Sequence, residues 1–375
     1  MKVLILTLEY PPMIGGIASY VTNVAEHLPA NNVIVYAPKN KVAKATDALH
    51  PWKVYRQNPY WFLWPHWIRS VFQVWKICRK EKITRIHVHQ ALPMGYVAWA
   101  MAKVKKLPYT VFLHGTDVEM AHKSPSKRRR LHQVLQGADQ IVVNSQFLQS
   151  KVQRLFEALK TIIVYPSPSD YFFDRVDEEK IHALKTRLAL SGKKVIITVA
   201  RLAEGKGFPH VIRVLPEILK RVPNAVWLII GDGPKKQEIM TSIQQKYLQN
   251  VVRFLGSIPH EELPLYLQSA DLFLLMTHPD EAHEEGWGTA FLEAAASGLP
   301  IVAGRAGGVE EAVGHMANGI IVDVHQDKAV IGAVVELLKN TAYGHQMGEA
   351  VKQRIHDYGF TWAEQLKKIL PESDK

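Results

Sequence analysis

The sequence predicts an α/β protein built from two parallel sheets, and three observations carry that reading. Apolar runs alternate with helical patterns along the whole chain, as they do where parallel strands are joined by crossover helices. The runs are nearly continuous, as in Lys194-Val195-Ile196-Ile197-Thr198-Val199-Ala200, which is the pattern of a strand covered on both faces. The chain has 375 residues, enough for two or three ordinary domains, and Pro166-Ser167-Pro168-Ser169-Asp170 offers a break near its middle.

In order, the strands expected in the first half are residues 3–8, 33–37, 85–90, 109–114, 140–144 and 161–165. Those in the second half are 195–200, 225–231, 251–255, 271–276, 301–303 and 319–322. The organisation that follows is an N-terminal domain over 1–170, a linker over 171–189 with a charged stretch, and a C-terminal domain over 190–357. A ligand cleft is expected between the two sheets. Residues 3–8 are too short for a signal segment and run into Glu9 and Pro11-Pro12, so they read as a first strand. No window reaches the ~18 apolar residues of a membrane span. The single Cys78 excludes an internal disulfide framework and a cysteine-based zinc site, which suits a reducing cytosol. Gly-x-Gly-x-x-Gly is absent, which argues against a nicotinamide enzyme.

Two clusters carry chemistry. Glu285-Gly286-Trp287-Gly288-Thr289-Ala290-Phe291-Leu292-Glu293 brackets a glycine-rich start to a helix that Gly298 and Pro300 stop. A helix start has unsatisfied N–H donors and a partial positive charge, so a diphosphate fits there, with Glu285 and Glu293 placed to accept hydroxyl hydrogen bonds. The plain alternative is an ordinary helix start with solvated glutamates. Arg201-Leu202-Ala203-Glu204-Gly205-Lys206-Gly207 follows a strand directly. Ligands of open α/β sheets bind at strand carboxyl ends, where Arg201 and Lys206 can neutralise a diphosphate leaving group; the alternative is a solvated loop.

Together, strand, Arg-x4-Lys-Gly and Glu-x7-Glu resemble the family 4 retaining glycosyltransferases of GT-B fold. The resemblance spans nearly the whole chain through Gly15-Gly16, His114-Gly115-Thr116-Asp117, Gly231-Asp232-Gly233-Pro234, Phe254-Leu255-Gly256 and Gly307-Gly308-Val309-Glu310-Glu311. It implies two Rossmann-like domains, a final helix over 358–375 crossing back to the first, a nucleotide-sugar donor on the C-terminal domain and an acceptor on the N-terminal one. By matching positions it implies Glu285 on hydroxyls of the transferred sugar, Glu293 on the ribose diol, Gly256-Ser257-Ile258 beside the base, and His114 near sugar and phosphate. The diphosphate site takes in Gly15, Gly16, Gly286, Gly288, Thr289, Ala290 and Phe291. Asp117 either contacts the acceptor or caps the next helix, and the sequence leaves both open. With no Asp-x-Asp pair, the expectation is a reaction with no cofactor and no metal, in which Arg201, Lys206, the helix start and the Gly15-Gly16 loop balance the leaving charge. Where many members carry Pro-Asn-Gly before the crossover, this chain has Pro166-Ser167-Pro168, and proline fixes a backbone angle there.

Charge is uneven: residues 1–170 hold 23 Lys and Arg against 9 Asp and Glu, while the remainder holds 23 against 26. In the basic half Trp52, Tyr55, Tyr60, Trp61, Phe62, Trp64, Trp67, Phe72 and Trp75 interleave with Lys53, Arg56, Arg69, Lys76, Arg79, Lys80 and Lys82. That composition suits an anionic membrane surface, extended by Lys127, Arg128, Arg129 and Arg130. The alternatives are core packing and a solvated face. Nucleic acid is not expected, because no recognition signature accompanies the charge. The leading expectation is a cytoplasmic hexosyltransferase, peripheral on the inner face of the cell membrane, acting on a lipid-linked or glycolipid acceptor. GDP-mannose leads UDP-glucose and UDP-N-acetylglucosamine as donor, on the resemblance of 303–308 to bacterial lipid mannosyltransferases. Transfer to a soluble acceptor, a sugar-nucleotide epimerase and a non-catalytic nucleotide-binding module are the alternatives.

Overall fold

The computed structural model describes residues 1–13, 15–60, 65–279, 288–314 and 319–370. The chain divides into two compact units, Met1–Pro166 with Trp362–Lys375, and Ser167–Thr361.

In unit 1 the elements run β1 Val3–Leu6, α1 Gly16–Glu26, β2 Val33–Pro38, α2 Ala43–Asp47, β3 Lys53–Gln57, α3 Ile68–Glu81 and β4 Arg85–Val88. They continue with α4 Met94–Lys105, β5 Tyr109–Leu113, α5 Thr116–Lys123, α6 Pro125–Gln136, β6 Gln140–Val143, α7 Gln146–Leu155 and β7 Ile162–Ile163. The sheet is parallel throughout, in the order β3-β2-β1-β4-β5-β6-β7. Its inner strands are mostly apolar because both faces are covered, with His87 and Thr110 as buried polar exceptions. Leu4, Leu6, Ile86 and Val88 pack into one buried cluster with α3 and α4, while Val3, Ile5, Val33 and Val35 pack into another. That second cluster includes Trp362 and Leu366 from the chain's last helix and Ile369 just after it.

One strand escapes the sequence reading. The stretch 53–57 is the sheet's edge, with alternating polar residues that are half-buried at best. It engages several members of the basic aromatic stretch within the unit, although Lys53 stays exposed. Trp52 is buried and donates its Nε1–H to Tyr10 Oη at 2.9 Å. Lys53 and Tyr55 both donate to Glu81 Oε1, at 2.8 and 2.5 Å, and Arg56 pairs with Asp47 at 2.7 Å.

Unit 2 begins with α8 Glu178–Arg187, followed by β8 Lys194–Val199, α9 Phe208–Arg221, β9 Ala225–Ile230, α10 Lys236–Gln245, β10 Val252–Gly256, α11 Leu263–Gln268 and β11 Leu272–Leu275. It continues with α12 Thr289–Ala296, β12 Ile301–Gly304, α13 Val309–Val313, β13 Ile320–Val322, α14 Asp327–Lys339 and α15 Thr341–Asp357. The last helix, α16 Trp362–Lys367, belongs to unit 1. The second sheet is also parallel, in the order β10-β9-β8-β11-β12-β13. Ile196, Trp227, Ile229 and Leu274 form its core with Val211, Leu215 and Ile218 of α9 and Val330, Val334 and Leu337 of α14.

The stretch read as a linker, 171–189, is folded onto unit 2. Phe172 is fully buried, Asp177 caps α8 by accepting from the Glu179 N–H at 2.8 Å, and the Val176 N–H donates to Gln268 Oε1 at 2.9 Å. Its charges, which suggested a solvated tether, lie on the outer side of a helix whose Leu184 is buried.

Candidate functional site

In each sheet the strand order reverses once, between β1 and β4 in unit 1 and between β8 and β11 in unit 2. Crossovers leave in opposite directions there, so a crevice opens at the strands' carboxyl ends. The residues singled out in the sequence gather at these two places.

In unit 1, Gly15 and Gly16 follow β1 and start α1, with no Cβ between the chain and Glu9 Oε2; one built on Gly15 would lie 3.8 Å from that oxygen. Burial raises the Glu9 carboxyl above its ordinary value. Beside this loop, the Leu8 N–H donates to Gln90 Oε1 at 2.7 Å. His114 follows β5, half-buried, with its Nε2 3.3 Å from Nδ1 of His89 and its ring edge-on to Tyr20 at 5.0 Å. Burial lowers His114 to about 4, so its imidazole is neutral near pH 7.

Asp117 has a third role that neither sequence reading described. It is buried, and its carboxylate accepts from the backbone N–H groups of Ala91 at 2.9 Å and Leu92 at 3.3 Å, tying the loop after β4 to α5. Burial raises its pKa to about 6 against the pull of those two bonds. Asp117→Ala should lower stability to urea by about 1–3 kcal/mol, because two buried donors lose their acceptor. An unchanged unfolding midpoint would contradict that role.

In unit 2, Arg201 follows β8 and is exposed, and its guanidinium makes no bond among the described residues. Lys206 is half-buried in the same loop. The loop is held by main chain: the Leu202 N–H donates to Asp232 O at 3.0 Å, the Lys235 N–H to Leu202 O at 2.9 Å, and the His278 N–H to Gly205 O at 3.0 Å. The Gly231 N–H in turn donates to Gly256 O at 2.8 Å, which brings the Gly256-Ser257-Ile258 turn alongside. Backbones approach so closely here that side chains have no room. A Cβ at Gly207, whose φ is 72°, would lie 1.8 Å from Met276 O, and one at Gly231 would lie 1.9 Å from Ala200 O.

Gly288 caps α12 in the left-handed region with φ 75°, and Thr289 and Ala290 are half-buried in its first turn. Phe291 departs from its expected place. Its ring is fully buried against Phe273 at 5.8 Å, so it is core, and its N–H already donates to Gly288 O at 2.9 Å. Glu293 is buried and its Oε1 lies 2.8 Å from His260 Nε2, while His260 Nδ1 lies 2.5 Å from Tyr171 Oη. Sequence reasoning missed His260. It lies 33 positions from Glu293, and nothing local marks it. Glu285 and Gly286 lie outside the described residues.

Of the residues assigned to a membrane contact, Trp61 and Trp64 also lie outside the described residues. Trp67 is half-buried and stacks on Tyr96 with ring centroids 5.1 Å apart. Lys127, Arg128, Arg129 and Arg130 are exposed on α6, although Arg128 also donates to Leu155 O at 2.9 Å. No helix among the described residues is long and apolar enough to cross a membrane.

Comparison with known proteins agrees with this geometry. Residues 14–167 match the model of Glycosyltransferase Family 4, and residues 181–354 match that of the glycosyl transferases group 1. The GDP-mannose-dependent alpha-(1-6)-phosphatidylinositol monomannoside mannosyltransferase of Mycobacterium tuberculosis is 28% identical over 361 residues, covering 94% of this chain and 93% of its own. The alpha-monoglucosyldiacylglycerol synthase of Acholeplasma laidlawii is 26% identical, with coverage of 95% and 88%. The crystal structure of Anabaena HepE with UDP and glucose superposes with a TM-score of 0.82 at 20% identity, covering 98% of both chains, and speaks to fold. With both halves matched, and with the fold shared along its length, the chain belongs to the family 4 glycosyltransferases of GT-B fold and is a hexosyltransferase.

Proposed function

We propose that the protein is a retaining, metal-independent hexosyltransferase that moves a sugar, mannose from GDP-mannose ahead of glucose or N-acetylglucosamine from UDP, to a hydroxyl of a lipid-linked or glycolipid acceptor at the inner face of the cell membrane. The observation that carries this reading is the arrangement in unit 2. A cationic strand-end loop bearing Arg201 and Lys206 is bonded to the Gly231–Gly256 main chain, and the buried Glu293 carboxylate is held by His260. A diphosphate needs the cations and the backbone donors, and a ribose diol needs a fixed carboxylate.

In the reaction, the bond from the anomeric carbon to the diphosphate breaks on the face where the acceptor oxygen forms its own bond. The acceptor proton passes to the departing phosphate oxygen, and Arg201 and Lys206 balance the charge that develops. Glu285 holds the transferred sugar's hydroxyls. The donor preference and the lipid acceptor draw support from the printed activities of the mycobacterial and Acholeplasma relatives. Membrane contact draws support from α3, where Phe72 is 60% exposed and Arg69, Lys76, Arg79 and Lys80 are exposed around it.

The test is calorimetry of GDP, UDP and ADP without added metal, followed by transfer from the bound nucleotide's sugar conjugates with and without anionic lipid vesicles. The expected result is selective GDP binding and mannose transfer only when vesicles supply acceptor. Equal activity on a soluble acceptor would move the reading to a soluble product, and absence of binding by all three nucleotides would overturn the donor site.

A further inference from the structure

His89 is unusual in being fully buried, directly after β4, with one ring nitrogen engaged and the other not. Its ring stacks on Phe112, with centroids 4.2 Å apart and planes at 12°, and lies nearly parallel to His114 at 5.5 Å and 20°. Its Nδ1 is 3.3 Å from His114 Nε2, and its Nε2 is buried with no partner among the described residues. The neighbouring Tyr20 hydroxyl donates to Val164 O at 3.1 Å and makes no bond to that nitrogen. Both imidazoles are neutral, His114 because burial lowers it to about 4 and His89 because burial, then His114 and His87, hold it well below its ordinary value.

A neutral pair sharing one hydrogen bond has two arrangements. If His114 donated from Nε2, His89 would carry its own proton on Nε2 and bury an N–H with no acceptor. If His89 donates from Nδ1, what is left at its Nε2 is a bare lone pair. Buried orphan donors are rarer than under-satisfied acceptors, and leaving one costs about 1–3 kcal/mol. We infer that His89 is a positioning residue that donates its Nδ1–H to His114 Nε2 and thereby fixes the His114 proton on Nδ1. His114 then meets the reacting groups as a hydrogen-bond donor, with its basic nitrogen already occupied. This rests on the reading of His114 as a site residue.

The tautomer is tested without any substrate. Long-range proton–nitrogen correlation spectra of the full-length protein with 15N-labelled histidine, assigned with His114→Gln, should show His114 protonated at Nδ1 and bare at Nε2. The reverse pattern would overturn the inference. Its consequence is tested by rescue. Asn places its amide nitrogen where His has Nδ1, so His89→Asn should keep the tautomer and about a third of kcat, whereas His89→Leu should mix the tautomers and lower kcat roughly tenfold with donor KM nearly unchanged. Equal loss in both variants would make His89 a packing residue and overturn its positioning role. Full activity in His114→Ala would instead remove the site reading, while the spectra still decide the tautomer.

Discussion

Arg201→Ala and Lys206→Ala should each lower kcat/KM for transfer by about 100-fold or more, a loss of roughly 3 kcal/mol of transition-state stabilisation. Both follow from charge on the proposed reading: the leaving diphosphate gains negative charge as the glycosidic bond breaks, and Arg201 and Lys206 are the cations proposed to balance it. The effects should differ in kind. Lys206 is half-buried within the loop and acts as a point charge on ground state and transition state alike, so its loss should also weaken nucleoside diphosphate binding about tenfold. Arg201 is exposed and bonds no described residue, so Arg201→Ala should leave the melting temperature within about a degree. Steady-state kinetics with calorimetry reads both effects. Full transfer activity in either variant would sink the placement of the leaving group.

Stability should fall steeply in mild acid. His87 is held near 3 and His114 near 4 by burial, and His89 lies well below its ordinary value, all in unit 1. The unfolded chain takes up a proton on each near pH 6.5 while the folded chain does not. The stability they contribute is therefore complete above that pH and is lost as pH falls from 6.5 towards 4, at about 1.4 kcal/mol per pH unit for each histidine. Asp117 works in the opposite sense: raised to about 6, it binds its proton earlier in the folded state and returns stability between pH 6 and its ordinary value near 3.8. The raised Glu9 acts in the same direction. With His50 and His210 lowered as well, the histidines outweigh the carboxyls, and the balance is a net loss of stability as pH falls through this range. Urea unfolding at pH 7, 6 and 5 measures it, and a flat profile across those values would show that these imidazoles are hydrated.

Much of the fold was legible because burial on both sides of a parallel sheet leaves apolar runs with little ambiguity. The runs at 3–8, 85–90 and 109–114 were read too long, and the excess is informative. Leu8, Gln90 and His114 lie beyond the last ladder residues, where the chain turns and side chains take over the bonding. The edge strand Lys53–Gln57 was missed because its two-residue alternation sits inside a stretch crowded with aromatics and charge. The cationic loop after β8 was legible from order along the chain. The long-range contacts of the other site residues were not: Asp117 reaches 26 positions back to Ala91, and His260 reaches 33 forward to Glu293. Each such contact forms only once the sheet of its own unit is in place, and no local pattern encodes it.

The close approach at Gly207 and Gly231 has a consequence for how this enzyme can change. On the proposed placement of the donor, the floor beneath it would be peptide backbone, which looks the same to every nucleotide sugar and leaves no room for side chains that would tell one from another. On that placement, discrimination would fall to the rim, where Ser257 is exposed and Ile258 half-buried. Exchanging one donor for another is a matter of redecorating that rim, while substitutions in the floor yield a damaged protein and leave preference where it was.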